Sequence, residues 1–137
     1  MTRVERETAE RFAERYRVAP AAVSRRIELA VIGGDWGANG YTTTTQADLL
    51  GRELGLRPGV RLLDLGAGRG WPGLYLAAST GCQVVLSDVP IEALQAAAAR
   101  AQRESLAGRA APVAASARAL PFGPAAFDAI VHTDVLC

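Results

Sequence analysis

The stretch Leu62-Leu63-Asp64-Leu65-Gly66-Ala67-Gly68-Arg69-Gly70 decides the fold. Val60 to Leu65 is an apolar run too short for a helix and reads as a strand. The turn residues Arg57-Pro58-Gly59 stand before it. Three glycines at alternate positions follow it. They remove every Cβ where the chain must bend sharply and let a ligand lie against the backbone. Trp71 to Thr80 then reads as a helix, with Pro72 near its first turn, where a missing N–H does no harm. Further along, Gln83 to Ser87 is a second strand and Pro90 to Ala107 an Ala-rich helix ended by Gly108. Ala111 to Ala115 is a weak third strand, and Phe127 to His132 a clear fourth. Strands alternating with helices predict right-handed crossovers and a parallel sheet. Strands that are apolar without alternation fit such a sheet, buried on both faces. The fold class is α/β: a Rossmann-like, doubly wound parallel sheet of about four strands with N-terminal helices.

Upstream, Arg3 to Tyr16 places Val4, Phe12 and Tyr16 on one helical face, with Glu7 four residues before Arg11. This is expected to be a surface helix. Pro20 opens a second helix with Val23, Ile27, Ala30 and Val31 on one side, and Gly33-Gly34 closes it. The Gly-rich loop from Gly33 to Thr44 carries Trp36 and Tyr41, which serve either as a lid over a ligand or as packing anchors. Thr45 with Asp48 resembles a capping box. The helix it starts carries Leu49, Leu50 and Leu54 and stops at Gly55. Two parts are expected: residues 1–44, a helical cap with its Gly-rich loop, and residues 45–137, the ligand-binding core.

Composition excludes several classes. The chain has 137 residues, 50% of them hydrophobic, enough for one compact domain and too few for two. Fifteen basic residues, all Arg, face fourteen acidic ones for a net charge of +1, so no nucleic-acid footprint is expected. Cys82 and Cys137 lie too far apart for metal-ligand spacing or a disulfide framework; Cys82 reads as inert in its turn, and no metal is expected. Met1 to Arg17 alternates charges and lacks the apolar stretch of a signal peptide. No apolar run approaches a membrane span. A soluble, cytoplasmic protein is the expectation.

Ligands of open parallel sheets bind beyond the carboxyl ends of the strands, beside the first strand. Here Asp64 puts a carboxylate at the strand tip, able to hold an ammonium group. The helix after Gly70 offers N–H groups to a carboxylate. Asp88 closes the second strand beside the glycine loop, where it can accept from both hydroxyls of a ribose. A ribonucleoside joined to an amino-acid end satisfies all of these. So does a dinucleotide at first sight, since Gly68-Arg69-Gly70-Trp71-Pro72-Gly73 matches GxGxxG with Asp88 following. Against it, the strand tip is Asp64 rather than glycine, a carboxylate there would repel a pyrophosphate, and residues 1–59 precede the first strand.

The glycine stretch also resembles motif I of class I S-adenosylmethionine-dependent methyltransferases. The resemblance continues in Val84-Val85-Leu86-Ser87-Asp88, in Ala119-Leu120-Pro121-Phe122 and in Phe127-Asp128-Ala129-Ile130-Val131, in the family's order and spacing. It is nearest to small-molecule methyltransferases, including the quinone-biosynthesis C-methyltransferases. The resemblance implies S-adenosyl-L-methionine as cofactor and a small-molecule methyl acceptor. It places Asp64, Gly66, Gly68 and Gly70 along the methionine part, Asp88 on the ribose and Val89 on the adenine. Ser116 and Ala117 would lie at the adenine edge and His132 near the cofactor at the fourth strand's tip. Apart from the resemblance, Tyr41 of the Gly-rich loop is the better placed of the two aromatics to be a lid over the methyl group, if it is not a packing anchor. Relatives often carry Asp where Ser116 stands, and a hydroxyl accepts from the adenine amino group less strongly.

No catalytic residue stands out: His132 reads more readily as a strand-end residue than as a base, Asp128 as strand entry, and Asp134 as a group that could face substrate. The family domain continues with further strands, so the chain is expected to be a fragment ending after the fourth strand. Either a missing C-terminal half or a second copy in a homo-oligomer would cover the sheet edge, and the chain alone would be inactive. Two other classes stay open, a nicotinamide-dependent oxidoreductase domain and a non-catalytic S-adenosylmethionine-binding fragment.

Overall fold

A computed structural model describes residues 2–135 of the chain; Met1, Leu136 and Cys137 lie outside the described residues. Helices α1 (Arg3–Arg17), α2 (Ala22–Ile32) and α3 (Thr44–Glu53) precede strand β1 (Arg61–Leu65). Then follow α4 (Gly73–Thr80), β2 (Gln83–Asp88), α5 (Ile91–Arg103), β3 (Ala110–Ala114) and β4 (Ala129–Val131). All neighbouring strands run parallel in the order β3-β2-β1-β4; α4 and α5 form the first two crossovers, while the connection from β3 to β4 carries no helix.

The order explains where a ligand can sit. β1 to β2 to β3 steps outward in one direction, and right-handed crossovers place α4 and α5 on one face. The chain then crosses back to lay β4 on the other side of β1. This reversal between β1 and β4 opens a crevice at the strand ends, beside the glycine loop. Beneath it, Leu62, Val84 and Leu86 point into a core shared with Leu74, Leu76 and Ala97, all essentially solvent-free. Each fully buried Leu contributes about 1.5–3 kcal/mol relative to exposure.

Several element boundaries differ from the sequence expectation. Helix α4 starts at Gly73, two residues later than expected, because the Asp64 carboxylate accepts the Gly73 N–H at 2.8 Å and starts the helix there. Helix α5 ends at Arg103, short of Ala107, where Ser105 takes a left-handed φ of 57° and Leu106 turns into the core. The fourth strand is shorter at both ends. Asp128 spends its carboxylate on the Arg61 N–H and guanidinium, and Phe127 packs edge-on against Phe122 at 4.9 Å, so pairing begins at Ala129. It ends at Val131, leaving His132 beyond it.

The capping box belongs to Thr43 and Gln46 rather than Thr45 and Asp48; Asp48 instead accepts from the Tyr75 hydroxyl at 2.7 Å. Helix α3 buries Ala47 and Gly51, small residues that allow a close approach to α4, while Leu49 stays half exposed. In α2 only Ile32 is buried, and the stripe of Val23, Ile27 and Val31 faces outward.

Candidate functional site

The glycine loop turns on three left-handed residues, Gly66, Gly68 and Gly70, with φ of 75°, 53° and 97°. Its first half lies under the end of β2, whose Ser87 carbonyl accepts both the Gly66 and Ala67 N–H groups at 2.8 and 3.1 Å. The Asp88 carboxylate fixes what comes next: Oδ2 accepts the Gly68 N–H and Oδ1 the Val89 N–H, each at 2.7 Å. A carboxylate carries about four lone-pair sites, so two backbone bonds leave Asp88 able to accept from a ligand.

Two adjoining cavities follow the loop. The larger, about 470 Å³, is lined by Gly66, Asp88, Val89, Pro90 and Ser116 on one side and by α1 on the other. The smaller, about 190 Å³, runs along Gly66, Ala67, Gly68 and Arg69. Phe12, Tyr16, Gly66 and Asp134 belong to the walls of both. The bare backbone matters here. A Cβ on Gly68 would stand 2.9 Å from the Tyr16 hydroxyl, and one on Gly66 would stand 2.6 Å from Val135.

The sequence therefore names one set of residues that the fold brings to these cavities: Gly66, Gly68, Asp88, Val89 and Ser116. Others lie elsewhere. Asp64 is 1% exposed under the loop, and its carboxylate lines neither cavity. Burial, with a smaller contribution from Asp88, pushes its pKa up to about 8, against the single bond from Gly73 that lowers it. Two corrections follow. Asp64 is no direct partner for a ligand ammonium here, and near neutral pH it is largely uncharged, so it would not repel a pyrophosphate. Gly70 is a packing glycine: its Cβ would meet Leu74 at 2.5 Å, in the protein rather than in a cavity. Ala117 and His132 are exposed and line neither cavity, and Tyr41 is 84% exposed on the far side of the Gly-rich loop.

Trp36 resolves as an anchor. It stacks among Trp71 and Tyr75 with ring centroids 6.3 and 5.5 Å away, and Arg100 lies over its face. Asp134 ties the segment after β4 to the Gly-rich loop, accepting from the Thr42 N–H and hydroxyl at 3.2 and 2.9 Å.

Sequence reasoning expected a helical cap but named none of the cap residues that line the site, nor Arg69, among the site residues. Phe12 and Tyr16 of α1, with Asn39 and Arg69, close the smaller cavity. Arg69 Nη2 donates to the Val18 carbonyl at 2.9 Å and its guanidinium lies over the Tyr16 ring, holding the end of α1 on the loop. Burial raises the Tyr16 hydroxyl pKa, while a hydrogen bond with Asn39 opposes it. The apolar stripe of α1 was the available signal, since a helix otherwise rich in charge has no reason to keep Phe12 and Tyr16 in line unless that face covers something. Among the described residues no cluster of His, Cys, Asp and Glu could hold a metal ion, and no helix is long and apolar enough to cross a membrane.

Residues 62–137 match a family model described as a methyltransferase domain. Over 84 residues the chain is 34% identical to botryococcene C-methyltransferase of Botryococcus braunii, covering 61% of this chain and 22% of that one. The chain thus spans less than a quarter of this relative's length. Among solved structures, it is similar to an S-adenosylmethionine-dependent methyltransferase of Thiobacillus denitrificans in complex with S-adenosyl-L-homocysteine. That likeness has a TM-score of 0.54 and 26% identity, over 67% of this chain and 37% of that one. It is also similar to the [4+2]-cyclase SpnF, with a TM-score of 0.56 and 28% identity, over 77% of this chain and 43% of that one.

Proposed function

Because the chain belongs to the methyltransferase domain family, we propose that its glycine-loop cavities bind S-adenosyl-L-methionine and that it is the cofactor-binding part of an enzyme methylating a small-molecule acceptor. The carrying observation is the position of Asp88. One carboxylate fixes the Gly68 and Val89 backbone and lines the larger cavity together with Ser116, where a ribose with its adenine would lie. The bare backbone of Gly66 and Gly68 along the smaller cavity suits the methionine end. The residues present fit the cofactor: Asp88 keeps acceptor capacity at the larger cavity, and Gly66 and Gly68 line the smaller one with bare backbone.

When bound, S-adenosylmethionine supplies a methyl group on a positively charged sulfur, so the acceptor needs alignment more than acid–base help. Phe12 and Tyr16 exclude water from above, and Asp88 orients the ribose. Asp64 acts indirectly by fixing Gly73 and thereby the bend. His132 and Ala117 have no part in cofactor binding in this reading. The C-methyltransferase relative supports a carbon acceptor, in line with the resemblance to quinone-biosynthesis enzymes. The buried, free Cys82 thiol goes with a reducing, cytoplasmic compartment. Ile130, 55% exposed on edge strand β4, goes with further polypeptide or a second copy along that edge.

Likeness to a [4+2]-cyclase keeps one other reading in play, cofactor binding without methyl transfer. Calorimetric titration with S-adenosylhomocysteine and with NADH separates these readings from the oxidoreductase. S-adenosylhomocysteine should bind and NADH should not. Asp88→Ala should weaken S-adenosylhomocysteine binding about 10–100-fold, as expected for losing charge-assisted hydrogen bonds. Equal affinities for the two proteins contradict the ribose assignment. Binding without transfer of labelled methyl to any acceptor would favour the second reading.

A further inference from the structure

A third cavity, of about 620 Å³, lies between the α1–α2 connection, helix α2 and the Gly-rich loop. None of the four motifs contributes to it except Arg69. Its size falls in the range of about 300–1,000 Å³ usual for small-molecule sites. Arg15, Gly37, Asn39, Gly40 and Arg69 line both this cavity and the smaller glycine-loop cavity. The two spaces therefore meet across a shared wall at the end assigned above to the methionine part of the cofactor.

The chemistry of the walls narrows the occupant. Val18, Pro20, Ile27, Val31, Ala38 and Tyr41 face the space. Of these, Val18, Ile27, Val31 and Tyr41 are 67%, 58%, 54% and 84% exposed, an apolar surface that a water-filled cleft would not favour. Of the three charged groups on the wall, Arg15, Glu28 and Arg69, two are engaged by backbone groups. The Glu28 carboxylate accepts the Trp36 and Ala38 N–H groups at 2.7 and 3.1 Å, and Arg69 donates to the Tyr16 and Val18 carbonyls. Both serve the backbone of the wall, and Arg15 stands on the partition shared with the smaller cavity, so the side formed by α2 is mainly hydrocarbon. This also accounts for the unburied stripe on α2.

We propose that this cavity is the acceptor site and that the acceptor is an uncharged, largely aliphatic molecule. The assignment as an acceptor site rests on the reading of the adjoining cavities as the methyl-donor site. Ile27 and Val31 hold the hydrocarbon on the α2 side, Tyr41 closes it from the Gly-rich loop, and Arg69 and Asn39 form the partition facing the donor.

The test uses the full chain and 1-decanol as probe, with decanoate and decylamine as charged counterparts of the same length, followed by calorimetry and by amide chemical shifts. Decanol should bind and shift the amides of Ile27, Val31 and Ala38. Ile27→Asp, at an exposed position that leaves the core intact, should weaken decanol about tenfold or more by placing a charge against hydrocarbon, while S-adenosylhomocysteine affinity stays within about twofold. Ile27→Leu should restore decanol binding. No decanol binding by the wild-type chain, equal binding by Ile27→Asp, or tighter binding of decanoate or decylamine would each overturn the proposal. Decanol binding at these residues in a chain that ignores S-adenosylhomocysteine would instead overturn the donor-site reading and the acceptor role with it.

Discussion

The floor and the roof of the glycine loop are built by opposite means. Under the loop, Asp64, Gly70, Gly73 and Leu74 are buried, and the chain is fixed by a solvent-free carboxyl group and by contacts closer than a Cβ would allow. Above it, α1 packs along α5 but buries only Ala13 among its own residues, and it is held further by the Arg69 contacts and by partly exposed ion pairs, Arg17 with Glu92 and Arg118 with Glu5. Exposed pairs of this kind stabilise weakly. The floor is thus part of the buried core, whereas the roof is packed less deeply and is expected to open at lower cost. A site that admits and releases a ligand of this size needs that asymmetry.

The largest expected effect breaks the floor. Gly70→Ala must adopt a φ of 97° and drive a methyl group to 2.5 Å from Leu74. It should cost about 3 kcal/mol or more in urea unfolding, combining backbone strain with overpacking. Gly66→Ala, at φ 75° with its Cβ against Val135 near the chain's end rather than against the core, should cost less stability than Gly70→Ala and act on ligand affinity as well.

Next comes the buried acid. Because folding raises the Asp64 pKa from 3.8 to about 8, the folded state holds the proton more tightly than the unfolded one. Its contribution to stability is fully present below the unfolded pKa and is lost as pH climbs toward the folded one, by up to about 1.4 kcal/mol per pH unit in that window. Asp64→Asn keeps an oxygen for the Gly73 N–H and cannot ionise. Unfolding free energies from pH 5 to 8 should fall for the wild type and stay flatter for the variant. Parallel curves would contradict a largely neutral Asp64.

The smallest effect belongs to the roof. Tyr16→Ala should change folding stability by about 1 kcal/mol or less and should speed S-adenosylhomocysteine release about fivefold in stopped-flow measurements. A large loss of stability with unchanged release would make α1 part of the core instead.

Much of the floor was legible in the sequence, because short apolar runs between Gly and Pro punctuation are local signals. Parallel pairing follows from the alternation of elements, whereas the return of β4 to the far side of β1 has no local signal. Boundaries were not legible where side chains from distant elements set them: Asp64 starts α4, and Asp128, held on Arg61, delays β4. Of the site, Gly66, Gly68, Asp88, Val89 and Ser116 could be named because they hang on strand ends. Asp64 was misjudged because a carboxylate at a strand tip looks the same in sequence whether it faces a crevice or the core. Phe12, Tyr16, Asn39 and Arg69 reach the cavities through the docking of α1, a long-range contact with no periodic trace beyond one stripe.

The most direct test of the contrast is the amide spectrum of the isotope-labelled chain during addition of S-adenosylhomocysteine. The account predicts large shifts at Gly66, Gly68, Val89 and Tyr16 and little movement at Gly70, Gly73 and Leu74. Shifts confined to the latter three, or spread equally over both sets, would contradict it.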